Sequence, residues 1–262
     1  MKDVASRIKK GNVVAFCGAG LSAESGIPTF RGRGGLWEKY DPQLYGSAEG
    51  LSTLLLSEHK NVRDFVTDFY SILLEAKPNY AHYALSQLEE RGYLRGIITQ
   101  NIDDFHFQAG SRNVAEIHGN AYVFRCEMCD FAVKKEKDQV NAFLKSLAAL
   151  NEREDVVGEI FGFMGYCPHC HRRLEPGIVL FGQSLPLKEV EKCYEYLDNA
   201  EVVLCVGTSG TMYPAASFPL YAHQKGTEVI IVNPEDSFLD SISDCTFYQG
   251  ACSFFKNLFL HL

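Results

Sequence analysis

The residues able to do chemistry are four paired cysteines, one histidine, an amide and carboxylate two positions apart, and a glycine turn. Cys126-Glu127-Met128-Cys129 and Cys167-Pro168-His169-Cys170 are two Cys-x-x-Cys pairs. Two such knuckles present four thiolates to one tetrahedral ion, and zinc is the usual occupant. Protein fills every coordination position, so the ion is expected to be structural rather than catalytic. His169 and His171 are rival ligands at the second knuckle, and redox chemistry is the alternative use of the thiols.

His118, followed by Gly119, is a candidate general base, because a neutral imidazole takes up a proton near physiological pH. A lone histidine is otherwise structural. Asn101 and Asp103 follow the apolar run Leu94–Thr99. Their plain alternative is a capping turn into the helix after Asp103. Val13–Phe16 reads as a buried strand, and Gly18, Gly20 and Ala23 after it fit the G-x-G-x-x-G/A spacing of dinucleotide sites. Gly18 permits the turn, Gly20 lets backbone approach a pyrophosphate, and Ala23 lets the next helix pack closely. Gly26-Ile27-Pro28 then stops that helix, and Gly32, Gly34 and Gly35 oppose a strand. The long irregular segment that follows carries Phe30, Arg31 and Trp37 and is expected to fold over the nicotinamide end of a dinucleotide.

The elements that must hold these groups alternate. Helical spacing marks residues 2–10, 61–76, 81–91, 187–199 and 215–224. Apolar runs mark strands at 94–99, 114–117, 178–181, 202–206 and 229–232. Between the cysteine pairs, Val140, Phe143, Leu144, Leu147 and Leu150 mark a helix, and a second short helix precedes Gly162. Alternation of this kind predicts an α/β fold: a doubly wound, mostly parallel, Rossmann-like sheet with a small zinc-binding lobe. The expected division is a discontinuous dinucleotide-binding domain (1–30, 80–121 and 174–262) and a small lobe (31–79 and 122–173).

Four signatures in order resemble those of the sirtuins, NAD-dependent protein lysine deacylases. They are Cys17–Gly32, Thr99-Gln100-Asn101-Ile102-Asp103, His118-Gly119 and the two cysteine pairs, and together they cover nearly the whole chain. The resemblance implies NAD as co-substrate and zinc as a structural ion. It makes His118 and Asn101 catalytic. It assigns Gly18, Ala19, Gly20, Glu24, Thr29, Phe30, Arg31, Trp37, Gln100, Ile102 and Asp103 to the cofactor. At later strand ends it adds Gly207, Thr208, Ser209, Asn233, Pro234 and Glu235, with Ala251 and Cys252 bordering the adenine. Val179, Phe181 and Gly182 resemble the segment that binds an acyl-lysine peptide by strand addition, and Gln183 stands where the family usually has Glu. Val66 and Phe69 match positions where succinyl-selective members carry Tyr and Arg. Neither binds a carboxylate, which implies an apolar pocket for acetyl or longer fatty acyl groups. The linker between the cysteine pairs is longer than the family's usual one and has no evident role.

The 262 residues, 46% of them apolar, suffice for a large domain with a smaller lobe. A net charge of -8 opposes nucleic-acid binding through bulk charge and suits a basic, lysine-bearing partner. Met1-Lys2-Asp3-Val4 lacks an apolar leader and no run is long enough to span a membrane. Nine cysteines, five of them scattered, suggest a reducing compartment. The expectation is a cytoplasmic enzyme with no membrane contact. The rival activities are mono-ADP-ribosyl transfer from the same cleavage and a non-catalytic NAD- or peptide-binding module.

Overall fold

Val13–Cys17 (β1) and Val202–Val206 (β7), buried at every residue, run side by side through the middle of a six-stranded sheet. The computed structural model describes residues 1–28 and 36–262. The chain divides into two compact units: Met1–Thr29, Lys77–His118 and Leu185–Leu262 form the first, Phe30–Ala76 and Gly119–Ser184 the second.

The sheet of the first unit is completed by β2 (Leu94–Thr99), β3 (Val114–Glu116), β8 (Glu228–Val232) and β9 (Cys245–Phe247). Its order is β3-β2-β1-β7-β8-β9, and every pairing is parallel. Alternate residues of each strand feed opposite cores. On one face Ala15, Ile97, Leu204 and Ile230 meet α1 (Lys2–Ile8), α7 (Tyr80–Glu90) and α13 (Ala251–Phe259) through Ile8, Leu85, Leu88, Phe254 and Leu258. On the other, Phe16, Val203 and Ile231 meet α11 (Leu187–Leu197) and α12 (Ser217–Gln224) through Cys193, Leu197 and Phe218. Each large apolar side chain buried this way contributes roughly 1.5–3 kcal/mol. Two short helices, α2 (Ala19–Ala23) and α8 (Phe105–Gln108), sit just past β1 and β2. The strand order reverses between β1 and β7. In open α/β sheets the crevice at such a reversal is where ligands bind.

The second unit holds α3 (Leu36–Lys39), α4 (Pro42–Tyr45), α5 (Ala48–Ser57) and α6 (His59–Glu75). Where the sequence looks mixed, caps define the short helices: Asp41 accepts from the Gln43 amide at 2.8 Å and Ser47 from the Gly50 amide at 3.1 Å. Its sheet is antiparallel, β4 (Gly119–Arg125) lying between β5 (Ala132–Lys134) and β6 (Glu175–Ile178). This corrects the expected strand at 178–181 in the main alternation. Pro176 has no N–H and suits the edge that β6 provides. A Cβ on Gly177 would lie 2.6 Å from the Val123 carbonyl oxygen, so glycine permits the close pairing.

The segment between the cysteine pairs folds as α9 (Lys137–Ala148) and α10 (Arg153–Met164). The second helix runs through Gly162 rather than stopping before it. Phe163 stacks on Phe143 at 4.0 Å between ring centroids and meets Phe124 and Tyr70 edge-on. Arg63 of α6 donates to the Leu150 carbonyl at 2.7 Å, and His59 contacts the Asn151 carbonyl at 3.1 Å. Ile160 packs both against the aromatic core of Tyr40, Tyr45 and Phe65 and against the core around Cys126 and Cys167. The insertion is thus part of the interior of its unit.

Candidate active site and metal centre

Two glycine turns meet at the sheet's reversal. Gly18 donates to the Val206 carbonyl at 3.0 Å, and Gly20 to the Gly207 carbonyl at 2.8 Å. A Cβ on Gly20 would lie 2.8 Å from the Gly207 Cα, and one on Gly18 would lie 2.7 Å from the Gly207 oxygen. Gly207 itself has φ +62°, the left-handed region glycine enters without strain. Backbone proximity between the turns is therefore a further reason for glycine at 18 and 20, beside the approach of a phosphate.

Beyond the turns, the end of β2 supplies the polar groups. The Gln100 amide donates to the Cys17 carbonyl at 2.9 Å, and its side chain reaches Thr208 Oγ1 at 3.1 Å. Asn101 is buried and donates from Nδ2 to the Gly18 carbonyl at 3.1 Å and to Ser22 Oγ at 3.0 Å. Ser22 Oγ donates in turn to Asp103 Oδ2 at 2.6 Å. Asp103 Oδ1 accepts the Phe105 amide at 2.9 Å, closing a turn over Asp104, the N-cap of the following helix. Burial raises the Asp103 pKa above its ordinary value, while the Ser22 and Phe105 hydrogen bonds oppose that rise. Ile102 falls between Asn101 and Asp103 in the sequence.

His118 follows β3. Its Nδ1 lies 3.0 Å from the Gln100 carbonyl oxygen, so Nδ1 carries the proton and Nε2 keeps its lone pair. Burial lowers the ring's pKa below 6.5, against the opposing pull of that carbonyl. A neutral imidazole with a free Nε2 is what a general base requires. The first unit therefore brings together Gly18, Ala19, Gly20, Gln100, Asn101, Ile102, Asp103, His118, Gly207 and Thr208.

The other residues expected at the cofactor or the peptide are placed as follows. Ser209 Oγ pairs with Thr211 Oγ1 at 2.9 Å. Asn233 follows β8 and donates to the Glu235 carbonyl at 2.7 Å across Pro234. Ala251 and Cys252 open α13, where Glu24 Oε1 accepts the Cys252 amide at 2.9 Å. Thr29, Phe30 and Arg31 lie outside the described residues, and Trp37 belongs to the second unit. There it packs 6.0 Å from Phe181, whose amide donates to the Gly46 carbonyl at 2.8 Å. Gln183 Oε1 accepts the Leu180 amide at 2.9 Å and closes the turn through Phe181 and Gly182 that follows Val179. Val66 and Phe69 stand half-buried on α6.

Sequence reasoning passed over three polar residues. His82, fully buried, accepts the Asn79 amide on Nδ1 at 3.2 Å, which directs Nε2–H toward Ser22 Oγ at 3.4 Å. Ser22 links it to Asn101 and Asp103. Ser237 Oγ donates to the Thr208 carbonyl at 3.0 Å. The available signal was a histidine on the otherwise apolar face of α7, among Ala81, Ala84, Leu85 and Leu88.

In the second unit the four thiol sulfurs of Cys126, Cys129, Cys167 and Cys170 all lie within 4.8 Å of one another. The pairs Cys126–Cys170 and Cys129–Cys167 are 3.4 and 3.3 Å apart. Zinc–sulfur bonds of about 2.3 Å in a tetrahedron separate the sulfurs by about 3.8 Å, so the quartet fits zinc. The Met128 amide points at Cys126 Sγ from 3.4 Å and lowers that thiol's pKa. His169 packs edge-on to Phe131. All nine cysteines are free of disulfides.

Comparison with known proteins agrees with this arrangement. Residues 18–214 match the Sir2 family. The chain is 43% identical to an NAD-dependent protein deacylase of Pyrococcus abyssi, over 89% of its own length and 86% of that protein's. It is 36% identical to one from Aquifex aeolicus, over 96% and 95%. Among solved structures it resembles a Sir2 homologue–NAD complex with a TM-score of 0.79 and 32% identity, covering all of this chain and 93% of that one. It also resembles a Sir2–p53 peptide–NAD+ complex with a TM-score of 0.77 and 28% identity, covering 99% and 97%. With the glycine turns, strand-end amide and acid, imidazole and thiol quartet all in place, the chain belongs to the Sir2 family.

Proposed function

We propose that this protein removes acetyl, and longer apolar acyl, groups from protein lysine side chains in an NAD-dependent reaction giving nicotinamide and O-acyl-ADP-ribose. The observation that carries the reading is the convergence of Asn101, Asp103 and His118 beside the paired glycine turns, in a chain whose relatives are NAD-dependent protein deacylases. NAD supplies the activated ribose carbon that the acyl oxygen attacks as nicotinamide leaves. Asn101 is fixed by Gly18 and Ser22 and orients the ribose. Asp103 receives the nicotinamide carboxamide, and His118 Nε2 takes the proton of the ribose hydroxyl that then attacks the acyl carbon. The protein's contribution is orientation and a held proton acceptor.

Val179, Phe181 and Gly182 offer backbone for strand addition by the peptide, a mode that tolerates many sequences. Val66 and Phe69 favour an apolar acyl chain. The thiol quartet is the seat of a structural zinc ion, and a reducing cytoplasm keeps its ligands available. Nicotinamide release from NAD should be measured with acetyl-, decanoyl- and succinyl-lysine peptides and mass analysis of products. Acetyl or decanoyl turnover with O-acyl-ADP-ribose formation is expected. Faster succinyl removal would reject the pocket reading, and ADP-ribose attached to the peptide would favour transfer chemistry.

A further inference from the structure

The five-residue helix α2 is tied down at three points. Asn79 Nδ2 donates to the Leu21 carbonyl at 2.7 Å and lies 3.0 Å from Ser25 Oγ. Ser22 holds it to Asp103. The third tie is Glu24, whose Oε1 accepts the Cys252 amide at 2.9 Å, across 228 positions of sequence. The helix it reaches, α13, begins at Gly250 with no side-chain cap of its own and no acidic residue in its first turn. The first amides of a helix need acceptors, and its N-terminus favours negative charge. Glu24 supplies both from outside the helix. A Cβ at position 250 would lie 3.0 Å from Glu24 Oε1, so glycine there leaves room for the carboxylate. The Cys252 thiol also meets this carboxylate and, with burial, has its pKa raised.

We propose that Glu24 is a positioning residue for the dinucleotide: by capping α13 it fixes the adenine-side wall, Ala251 and Cys252, relative to the phosphate turn at Gly18–Gly20. The proposal rests on the reading that this unit binds NAD. A carboxylate in direct contact with a pyrophosphate would repel it, whereas one satisfied by a helix N-terminus does not. Glu24 therefore acts through α13.

The test uses the intact chain with Glu24→Ala and Glu24→Gln, and two measurements. Hydrogen exchange of the segment 250–255 is followed without ligand, and ADP-ribose binding is followed by calorimetry. Glu24→Ala is expected to speed exchange in that segment and weaken ADP-ribose three- to tenfold, with the catalytic loss falling on KM for NAD rather than on kcat. Glu24→Gln keeps an acceptor oxygen and is expected to recover most of both. If Glu24→Ala does not fold, Glu24→Asp, which withdraws the carboxylate by one methylene, is read by the same two measurements. Unchanged exchange and affinity would overturn the proposal. So would weakened binding with unchanged exchange, the signature of direct contact. Wild-type protein that fails to bind ADP-ribose would instead overturn the NAD reading, while the exchange arm still reports on the cap.

Discussion

The carbonyl oxygen of Gln100 lies 3.0 Å from Nδ1 of His118, and the same residue's side chain reaches Thr208 across the strand-order reversal. One residue thereby sets the imidazole's tautomer and joins the two glycine turns.

The first prediction follows from that tautomer. His118→Ala should lower kcat about 10²–10⁴-fold, the usual worth of a positioned base, with zinc content unchanged. Because burial lowers the ring's pKa, the base is fully available at neutral pH. Its kcat/KM should fall only on acidification, with a midpoint below 6.5. A midpoint at or above 7 in the wild-type pH–rate profile would assign the limb to another group.

Gly20→Ala tests the meeting of the turns. Its Cβ would intrude to 2.8 Å from backbone, which cannot rotate away. We expect at least tenfold weaker ADP-ribose binding by calorimetry and a lower melting temperature, since the two turns must separate. Unaltered binding would mean that the crevice tolerates a looser join.

Acid stability depends on His82 and His106. Burial lowers their pKa values to about 2 and about 4, and both His106 ring nitrogens are buried without a hydrogen-bond partner among the described residues. The unfolded chain binds these protons near pH 6.5 and the folded chain does not, so stability is full above 6.5 and lost as pH falls below it. Two such groups cost roughly 3 kcal/mol per pH unit between about 6.5 and 4, and His82 alone acts below that. Asp103, with its raised pKa, works in the opposite direction. Urea unfolding across this range should give that slope, and His106→Leu should reduce it by about half.

Gly158 and Gly162 lie in α10, and a Cβ added at either would meet none of the described residues within 4 Å. Alanine at either should stabilise the helix by roughly 0.5–1 kcal/mol. Thermal melts should rise by about 1–4 °C per substitution. A drop would reveal a neighbour that needs the groove.

What could be read directly from the chain was whatever depends on local spacing. Two cysteines three apart, a glycine turn after Val13–Phe16 and an amide and acid after Leu94–Thr99 each announce themselves within a few residues. Ser22, His82 and Ser237 do not, because Ser22 meets Asp103, His82 meets Ser22 and Ser237 meets Thr208, pairs far apart in sequence that only the folded unit brings close. The strand Glu175–Ile178 was misplaced for a related reason. Its Pro176 and Gly177 look like a break until β4 is alongside. The insertion's apolar positions predict helices without naming what those helices cover.

Ile160 lies in two cores at once, one around the zinc ligands and one beneath α6. A molecule stripped of its metal would lose the scaffold of the first, and the aromatic core against which Val66 packs would feel that loss through the side chain the two share. Through the inserted helices, metal occupancy and the packing beneath α6 become mechanically linked.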